Sequence, residues 1–205
     1  MQDRIQEQLT AAGMALEASQ IDTLAKYLEL LQRWNAVHNL TAITDTHEMI
    51  RRHLLESLAL RPYLKGTRIA DVGSGARLPG VPLAITELER QFALIESRAK
   101  RARFLRHVKG ALHLANITVE HCRVEHLTHV PSFDTVLARA VAPLPELLKL
   151  TAHLLSSESV LLVPTGSDPM DEADILARGY RVRRAGGPMA ERLRGHLLVV
   201  EKADD

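Results

Sequence analysis

From Lys65 onward the chain alternates short apolar runs with helix-length segments, a pattern that few folds accept. The runs occupy 68–72, 92–96, 117–120, 134–138, 159–163, 180–184 and 196–201, most of them about 20 residues apart. Strands alternating with helices imply a mostly parallel sheet covered on both faces, and right-handed crossovers make it doubly wound. The last two runs enclose a loop with Gly186-Gly187-Pro188, too irregular for a helix. The chain is therefore expected to close on a hairpin that contributes one antiparallel strand. Aromatic residues are only 3% of the chain against 46% apolar in all, so the core must be built from Leu, Val, Ile and Ala.

Residues 1–64 read instead as a helical extension packed on the α/β core of 65–205, the two forming one compact unit. Ser19 followed by Asp22 predicts a helix N-cap, after which Ile21, Leu24, Leu28 and Leu31 recur at helical spacing. Asp45 with Glu48 predicts a second start, with Ile50, Leu54 and Leu58 on one stripe until Pro62 ends the helix. Met1-Gln2-Asp3-Arg4 opens a mixed-charge segment rather than a signal peptide, and no apolar run approaches the roughly 20 residues of a membrane span. The lone Cys122 excludes an internal disulfide framework and an all-cysteine metal site. A cytoplasmic protein with no membrane and no metal requirement is expected.

The strongest local signal is Asp71-Val72-Gly73-Ser74-Gly75-Ala76-Arg77-Leu78-Pro79-Gly80, directly after the first predicted strand. Glycines in a strand-to-helix turn let a ligand approach backbone that a β-carbon would shield, and ligands of open α/β sheets bind outside the carboxyl ends of the strands. The glycine spacing is neither the dinucleotide fingerprint nor a P-loop. The second predicted strand ends in Glu96, whose carboxylate can accept both hydroxyls of a ribose. A cofactor with a ribose but no pyrophosphate fits this pair, which points to S-adenosylmethionine. The competing reading is a tight turn beside a surface glutamate.

Net charge is +1 and does not itself argue for nucleic acid, but the charge is unevenly placed. Arg98 to Lys109 holds six Lys or Arg residues and no acid, and a second basic stretch runs from Arg178 to Arg194. Arg101 shares a helical stripe with Phe104, Leu105, Val108 and Leu112, so its charge faces the sheet in the first helical turn. A cation there is disfavoured by burial and by the helix dipole, and needs an anion at the strand ends, either a protein carboxylate or an RNA phosphate. Arg139 closes the fourth predicted strand, a position that favours ligand contact. His53 lies on an apolar helix face and reads as a hydrogen-bonded core histidine, while Asn39 and Thr41 read as turn and cap residues.

Trp34-Asn35, Asn39-Leu40-Thr41, Arg52-His53, the glycine loop through Leu83, Lys100-Arg101 with Phe104-Leu105, Arg123-Val124-Glu125 and Arg139-Ala140 occur in an order and spacing that resemble the ribosomal RNA small-subunit methyltransferase G family. The resemblance runs from about Leu16 to Val200. It implies a class I S-adenosylmethionine-dependent methyltransferase fold, Rossmann-like with an N-terminal helical extension. The implied substrate is a guanine N7 in the 530 loop of 16S rRNA, within the 30S subunit. It further implies that Gly73, Ser74, Gly75 and Leu78 line the cofactor, that Glu96 holds the ribose, and that Val124 and Glu125 lie against the adenine. Arg139 would sit near the methyl donor. Local charge makes Lys100, Arg101, Arg51 and Arg52 the candidates to face RNA, with a solvated face the competing reading for Lys100, Arg51 and Arg52. A monomer is expected.

Guanine N7 carries a lone pair and no proton, so its methylation needs no general base, and none is assigned. Arg139 is expected to position rather than to catalyse. Where relatives usually carry glycine this chain has Arg77, and where many carry lysine it has Thr165. Glu56 and Glu96 each replace a usual aspartate and keep its charge. The alternatives are a methyltransferase of the same fold acting on another acceptor, and a non-catalytic RNA-binding relative.

Overall fold

The computed structural model describes residues 1–75, 79–128, 130–166 and 172–203. Strands β1 (Arg68–Val72), β2 (Gln91–Ile95), β3 (Ile117–Glu120), β4 (Phe133–Ala138), β5 (Leu155–Thr165), β6 (Tyr180–Arg184) and β7 (His196–Lys202) form one sheet in the order 3-2-1-4-5-7-6. The first five are parallel to one another, and β7 runs antiparallel between β5 and β6, as the closing hairpin required. β5 extends past the predicted run at both ends.

Each strand is apolar at consecutive positions because both its faces are covered. Ile69, Phe92, Leu94, Leu162 and Val199 face one core, while Ala70, Val72, Ile95, Leu161 and Leu198 face the other. The first core is shared with α1 (Gln2–Ala11), α2 (Ala18–His38), α5 (Gly80–Thr86) and α6 (Ala99–Ala111) through Ile5, Leu9, Leu24, Leu28, Val81, Leu83, Phe104 and Leu105. The N-terminal helices thus bury their stripes in the same core as the sheet. Tyr27 and Trp34 of α2 close this layer over Phe104, with ring centroids 6.5 and 5.6 Å apart. The second core is closed by α7 (Leu144–Thr151) and α8 (Glu172–Ala177) through Leu147, Leu148 and Ile175. Among the described residues no helix is long and apolar enough to cross a membrane.

Two helix boundaries differ from expectation. α2 begins one residue before Ser19, because Glu17 is its N-cap and exchanges capping-box bonds with Gln20. An acid that can both cap and receive a reciprocal glutamine contact outcompetes the later serine. Asp45 does cap the next helix, accepting from the Glu48 amide at 2.9 Å. That helix is α3 (Thr46–Met49), a π-helical segment (Ile50–Leu55) and α4 (Glu56–Leu58) in continuous succession. It ends at Leu58, before Pro62, which lies in a separate 3₁₀ turn (Arg61–Tyr63) and so does not terminate it.

Candidate functional site

The sheet order reverses between β1 and β4, and the carboxyl ends of these two strands open the crevice in which an α/β sheet binds ligands. β1 delivers Asp71, which is buried, and its Oδ2 accepts the Gly80 amide at 2.9 Å, tying the end of the glycine loop back to the strand. Burial raises the Asp71 carboxyl to about 7, against the lowering contributions of Gly80 and Ser74 and with a further rise from Glu96. A β-carbon on Gly80 would come within 2.6 Å of that carboxylate oxygen, so the close approach requires glycine. The Ser74 hydroxyl donates to the Asp71 carbonyl at 2.6 Å, and the Gly73 and Ser74 amides both donate to the Ile95 carbonyl. Ser74 therefore braces the turn with its side chain. Asp71 is the loop residue that sequence reasoning did not single out, although its place at the head of the glycine run was the available signal.

Glu96 follows β2 and is held in place by its own amide, which donates to the Glu120 carbonyl of β3. Its carboxylate is 3% exposed. Oε1 accepts the Arg98 amide at 2.7 Å, while Oε2 is buried and has no hydrogen-bond partner among the described residues. Arg101 supplies the expected charge from α6, with Nη1 at 3.9 Å from that oxygen, beyond hydrogen-bond reach. The carboxylate thus satisfies the charge requirement of Arg101. A β-carbon on Gly75 would sit 2.9 Å from Oε2 and 3.0 Å from Cδ of Arg101, and Gly75 has φ +34°. An orphaned buried acceptor beside a bare Cα at the strand ends fits a ribose whose hydroxyls donate to Oε2, the group that S-adenosylmethionine presents. Val124, after β3, packs its side chain into the second core, and Glu125 is exposed in the same 3₁₀ turn. Leu78 and Arg77 lie outside the described residues.

On the other side of the switch point, Arg139 follows β4. Its Nη2 donates to Oε2 of the buried Glu56 at 2.6 Å, and Ala140 beside it holds a left-handed φ of +52°. Glu56 opens α4 directly after the π-helical segment, so the helical extension contributes directly to the strand-end site. The pair borders a cavity of about 630 Å³ between the ends of β4 and β5, walled mainly by Ala142, Leu144, Val163 and Leu198 and reached by Thr165. A second cavity of about 430 Å³ is also bordered by Arg139, where Arg52 and His53 meet Arg101 and the Asn39–Ile43 turn. His53 is 5% exposed and 3.3 Å from the Thr41 hydroxyl. Burial, with Arg139 and Arg52 nearby, lowers its pKa to about 4 and keeps it neutral. Asn39 is the left-handed C-cap of α2 and Thr41 accepts the Ile43 amide, the turn roles read from sequence.

Of the residues expected to face RNA, Arg101 and Arg52 converge on the smaller cavity. Lys100 is exposed on α6. Arg51 is engaged locally by Glu48 through two bonds of 2.9 and 2.8 Å. The later basic stretch places Arg181, Arg183 and Arg184 outward on the edge strand β6, where charge discourages pairing with another chain. Among the described residues no cluster of three or more His, Cys, Asp or Glu side chains could hold a metal.

Residues 20–187 match the family described as rRNA small subunit methyltransferase G. The chain is 40% identical over 195 residues to the ribosomal RNA small subunit methyltransferase G of Cronobacter sakazakii, covering 94% of each chain. Among solved structures it is similar to a methyltransferase from Geobacter sulfurreducens, with a TM-score of 0.59 at 11% identity, covering 98% of this chain and 97% of that one. It is also similar to a mutant of MtNAS in complex with S-adenosylmethionine, with a TM-score of 0.54 at 18% identity, covering 99% of this chain and 73% of that one. At these identities the two structures bear on the fold, which is that of class I methyltransferases.

Proposed function

The chain belongs to the ribosomal RNA small-subunit methyltransferase G family, and from that premise we propose that it methylates N7 of a guanine in the 530 loop of 16S rRNA. The carrying observation is the buried Oε2 of Glu96, which has no hydrogen-bond partner among the described residues and faces the bare Cα of Gly75; a separate cavity of about 630 Å³ opens at the ends of β4 and β5 and is bordered by Arg139. A cavity of that size lies within the roughly 300–1,000 Å³ usual for small-ligand sites and suits one extruded base.

When bound, S-adenosylmethionine supplies an electrophilic methyl group on a sulfonium. Glu96 would anchor the ribose through Oε2, and Gly73 and Gly75 would admit the cofactor to the strand ends; Leu78, expected at the same site, lies outside the described residues. The turn at Val124 and Glu125 would border the adenine. The acceptor base enters between the ends of β4 and β5. Because N7 has a lone pair and no proton, the protein contributes alignment rather than acid or base, a contribution of roughly 7–11 kcal/mol in favourable cases.

Arg139 positions the base edge. An isolated guanidinium would oppose the cationic product, and the Glu56 carboxylate at 2.6 Å neutralises it. Lys100, Arg101, Arg52 and Arg51 supply phosphate-facing charge, whose binding strength falls with salt. The protein acts as a monomer on the 30S subunit in the cytoplasm.

The test is incubation with methyl-labelled S-adenosylmethionine and 30S subunits that lack the modification, followed by N7-selective strand cleavage. Stoichiometric label at one 530-loop guanine is expected. Cofactor binding with no label would transfer the activity to another acceptor, and absence of both would remove the enzymatic reading.

A further inference from the structure

The cavity of about 430 Å³ between the helical extension and the sheet has the charge of an anion site. The guanidiniums of Arg52, Arg101 and Arg139 all border it, and no acidic residue is among its described lining residues. The carboxylates that answer them stand behind the wall: Glu56 on Arg139 at 2.6 Å and Glu96 at 3.9 Å from Arg101. Arg52 Nε is buried with no hydrogen-bond partner among the described residues. A buried guanidinium nitrogen left without an acceptor is costly, and an anion from outside is the group that would satisfy it. The remaining polar wall is neutral: the Thr41 hydroxyl, the Asn39 turn and His53, whose imidazole is kept uncharged by burial and by Arg139 and Arg52.

Arg139 borders both this cavity and the larger one. We propose that the smaller cavity binds one phosphodiester group of the RNA substrate, the one flanking the target guanosine, while the guanine itself occupies the larger cavity. The inference rests on the RNA methyltransferase reading above. Planar guanidiniums suit phosphate oxygens, which they engage through paired N–H donors. The other oxyanion in such an enzyme is the carboxylate of the cofactor's methionine end. That end also carries an ammonium and a sulfonium and is cationic overall, so a cavity whose three guanidiniums outnumber the two carboxylates behind them favours a phosphodiester over it. Arg52 and the Asn39–Ile43 turn belong to the helical extension, which gives that extension a direct part in gripping the substrate.

The test compares wild type with Arg52→Gln and Arg52→Lys. Binding to unmodified 30S subunits is measured across a potassium chloride series with S-adenosylhomocysteine present throughout. Losing one phosphate contact should flatten the slope of log K against log salt by about 0.7–0.9, and Arg52→Gln should weaken binding roughly tenfold or more at moderate salt. Affinity for S-adenosylhomocysteine, read by calorimetry, should stay within twofold. Arg52→Lys should restore the salt slope but not the full affinity.

A second measurement needs no variant. Guanosine 5′-monophosphate should raise the melting temperature of the wild-type protein, and guanosine at equal concentration should raise it less. An unchanged salt slope in Arg52→Gln overturns the site. So does a fall in cofactor affinity equal to the fall in 30S affinity, which would make this the methionine carboxylate pocket. Equal melting shifts from nucleotide and nucleoside also overturn it. If wild type labels no 30S guanine, the functional reading fails by that result alone.

Discussion

Two buried glutamates face two half-buried arginines at the strand ends, and the pairs are built differently. At the end of β2, Glu96 is oriented from within its own segment, with Oε1 on the Arg98 amide, and Arg101 stands off at 3.9 Å. After β4, Arg139 is gripped at 2.6 Å by Glu56, a residue 83 positions away in the helical extension. The first carboxylate needs no cation to hold its geometry, so its free oxygen is available to a ligand. The second holds Arg139 through Oε2, and its Oε1 is likewise buried without a hydrogen-bond partner among the described residues, so the two differ in what orients the carboxylate. On the function proposed above, the same two residue types would serve binding on one side of the switch point and positioning on the other. The difference follows from whether the carboxylate is anchored by backbone or by a distant partner.

Breaking the tighter pair should have the larger effect. Glu56→Gln keeps the shape and removes the charge, leaving Arg139 beside an apolar cavity with a neutral partner. Loss of one member of a buried pair costs roughly 3–5 kcal/mol, and the partial exposure of Arg139 places this case at the lower end, about 3 kcal/mol by urea unfolding. A loosened Arg139 should also lower kcat on the order of 100-fold, while affinity for S-adenosylhomocysteine stays within about twofold. A variant with normal kcat and impaired cofactor affinity would reverse the roles assigned to the two glutamates.

Glu96→Ala should do the opposite. Removing a carboxylate that accepts hydrogen bonds from a ribose loses about 1.5–3 kcal/mol of binding, or roughly 10- to 150-fold in cofactor affinity by calorimetry. Stability should fall less than in Glu56→Gln, because deleting a buried oxygen that has no hydrogen-bond partner among the described residues relieves desolvation, while the bond to the Arg98 amide and the charge facing Arg101 are lost. Glu96→Asp, the acid usual in relatives, should recover most of the affinity. A large stability loss with normal cofactor binding would make Glu96 the structural member of the comparison.

What could be read from sequence divides along the same line. The glycine loop and Glu96 were legible as candidates because their signal is local: a turn directly after one strand and an acid at the end of the next. The sheet was legible because strands covered on both faces leave continuous apolar runs. Arg101 could be assigned an anion from its stripe, and the structure supplies Glu96. The Glu56–Arg139 pair was not legible, because a contact between elements 83 residues apart leaves no spacing signal. Nor was the π-helical turn that presents Arg52 and His53, since one extra residue per turn has no compositional mark. Arg51 and Arg52 were indistinguishable in sequence, yet Glu48 engages Arg51 locally while Arg52 reaches the inner cavity. Ser19 was outcompeted as a cap by Glu17, which forms a local capping box with Gln20 although glutamate is not among the usual cap residues.

The two ends should also titrate with opposite sign, the smallest effect and the sharpest form of the comparison. Near Arg139, His53 has its pKa lowered from 6.5 to about 4, so between those values the unfolded chain binds a proton that the folded one does not. Stability from this group is present above pH 6.5 and is lost as pH falls toward 4. Near Glu96, Asp71 has its pKa raised from 3.8 to about 7, so the folded chain holds the extra proton. Its contribution is largest below pH 3.8 and is lost as pH rises toward 7. In the shared window the slopes oppose each other, each near 1.4 kcal/mol per pH unit, and the wild-type protein should show little net dependence from this pair. His53→Asn removes one slope and exposes the other. Relative to wild type, the variant should gain about 1–2 kcal/mol of stability when urea unfolding at pH 5 is compared with pH 6.5. Parallel pH profiles would mean that His53 is not held neutral by its position beside Arg139 and Arg52, and that the two ends of the site do not differ electrostatically in this way.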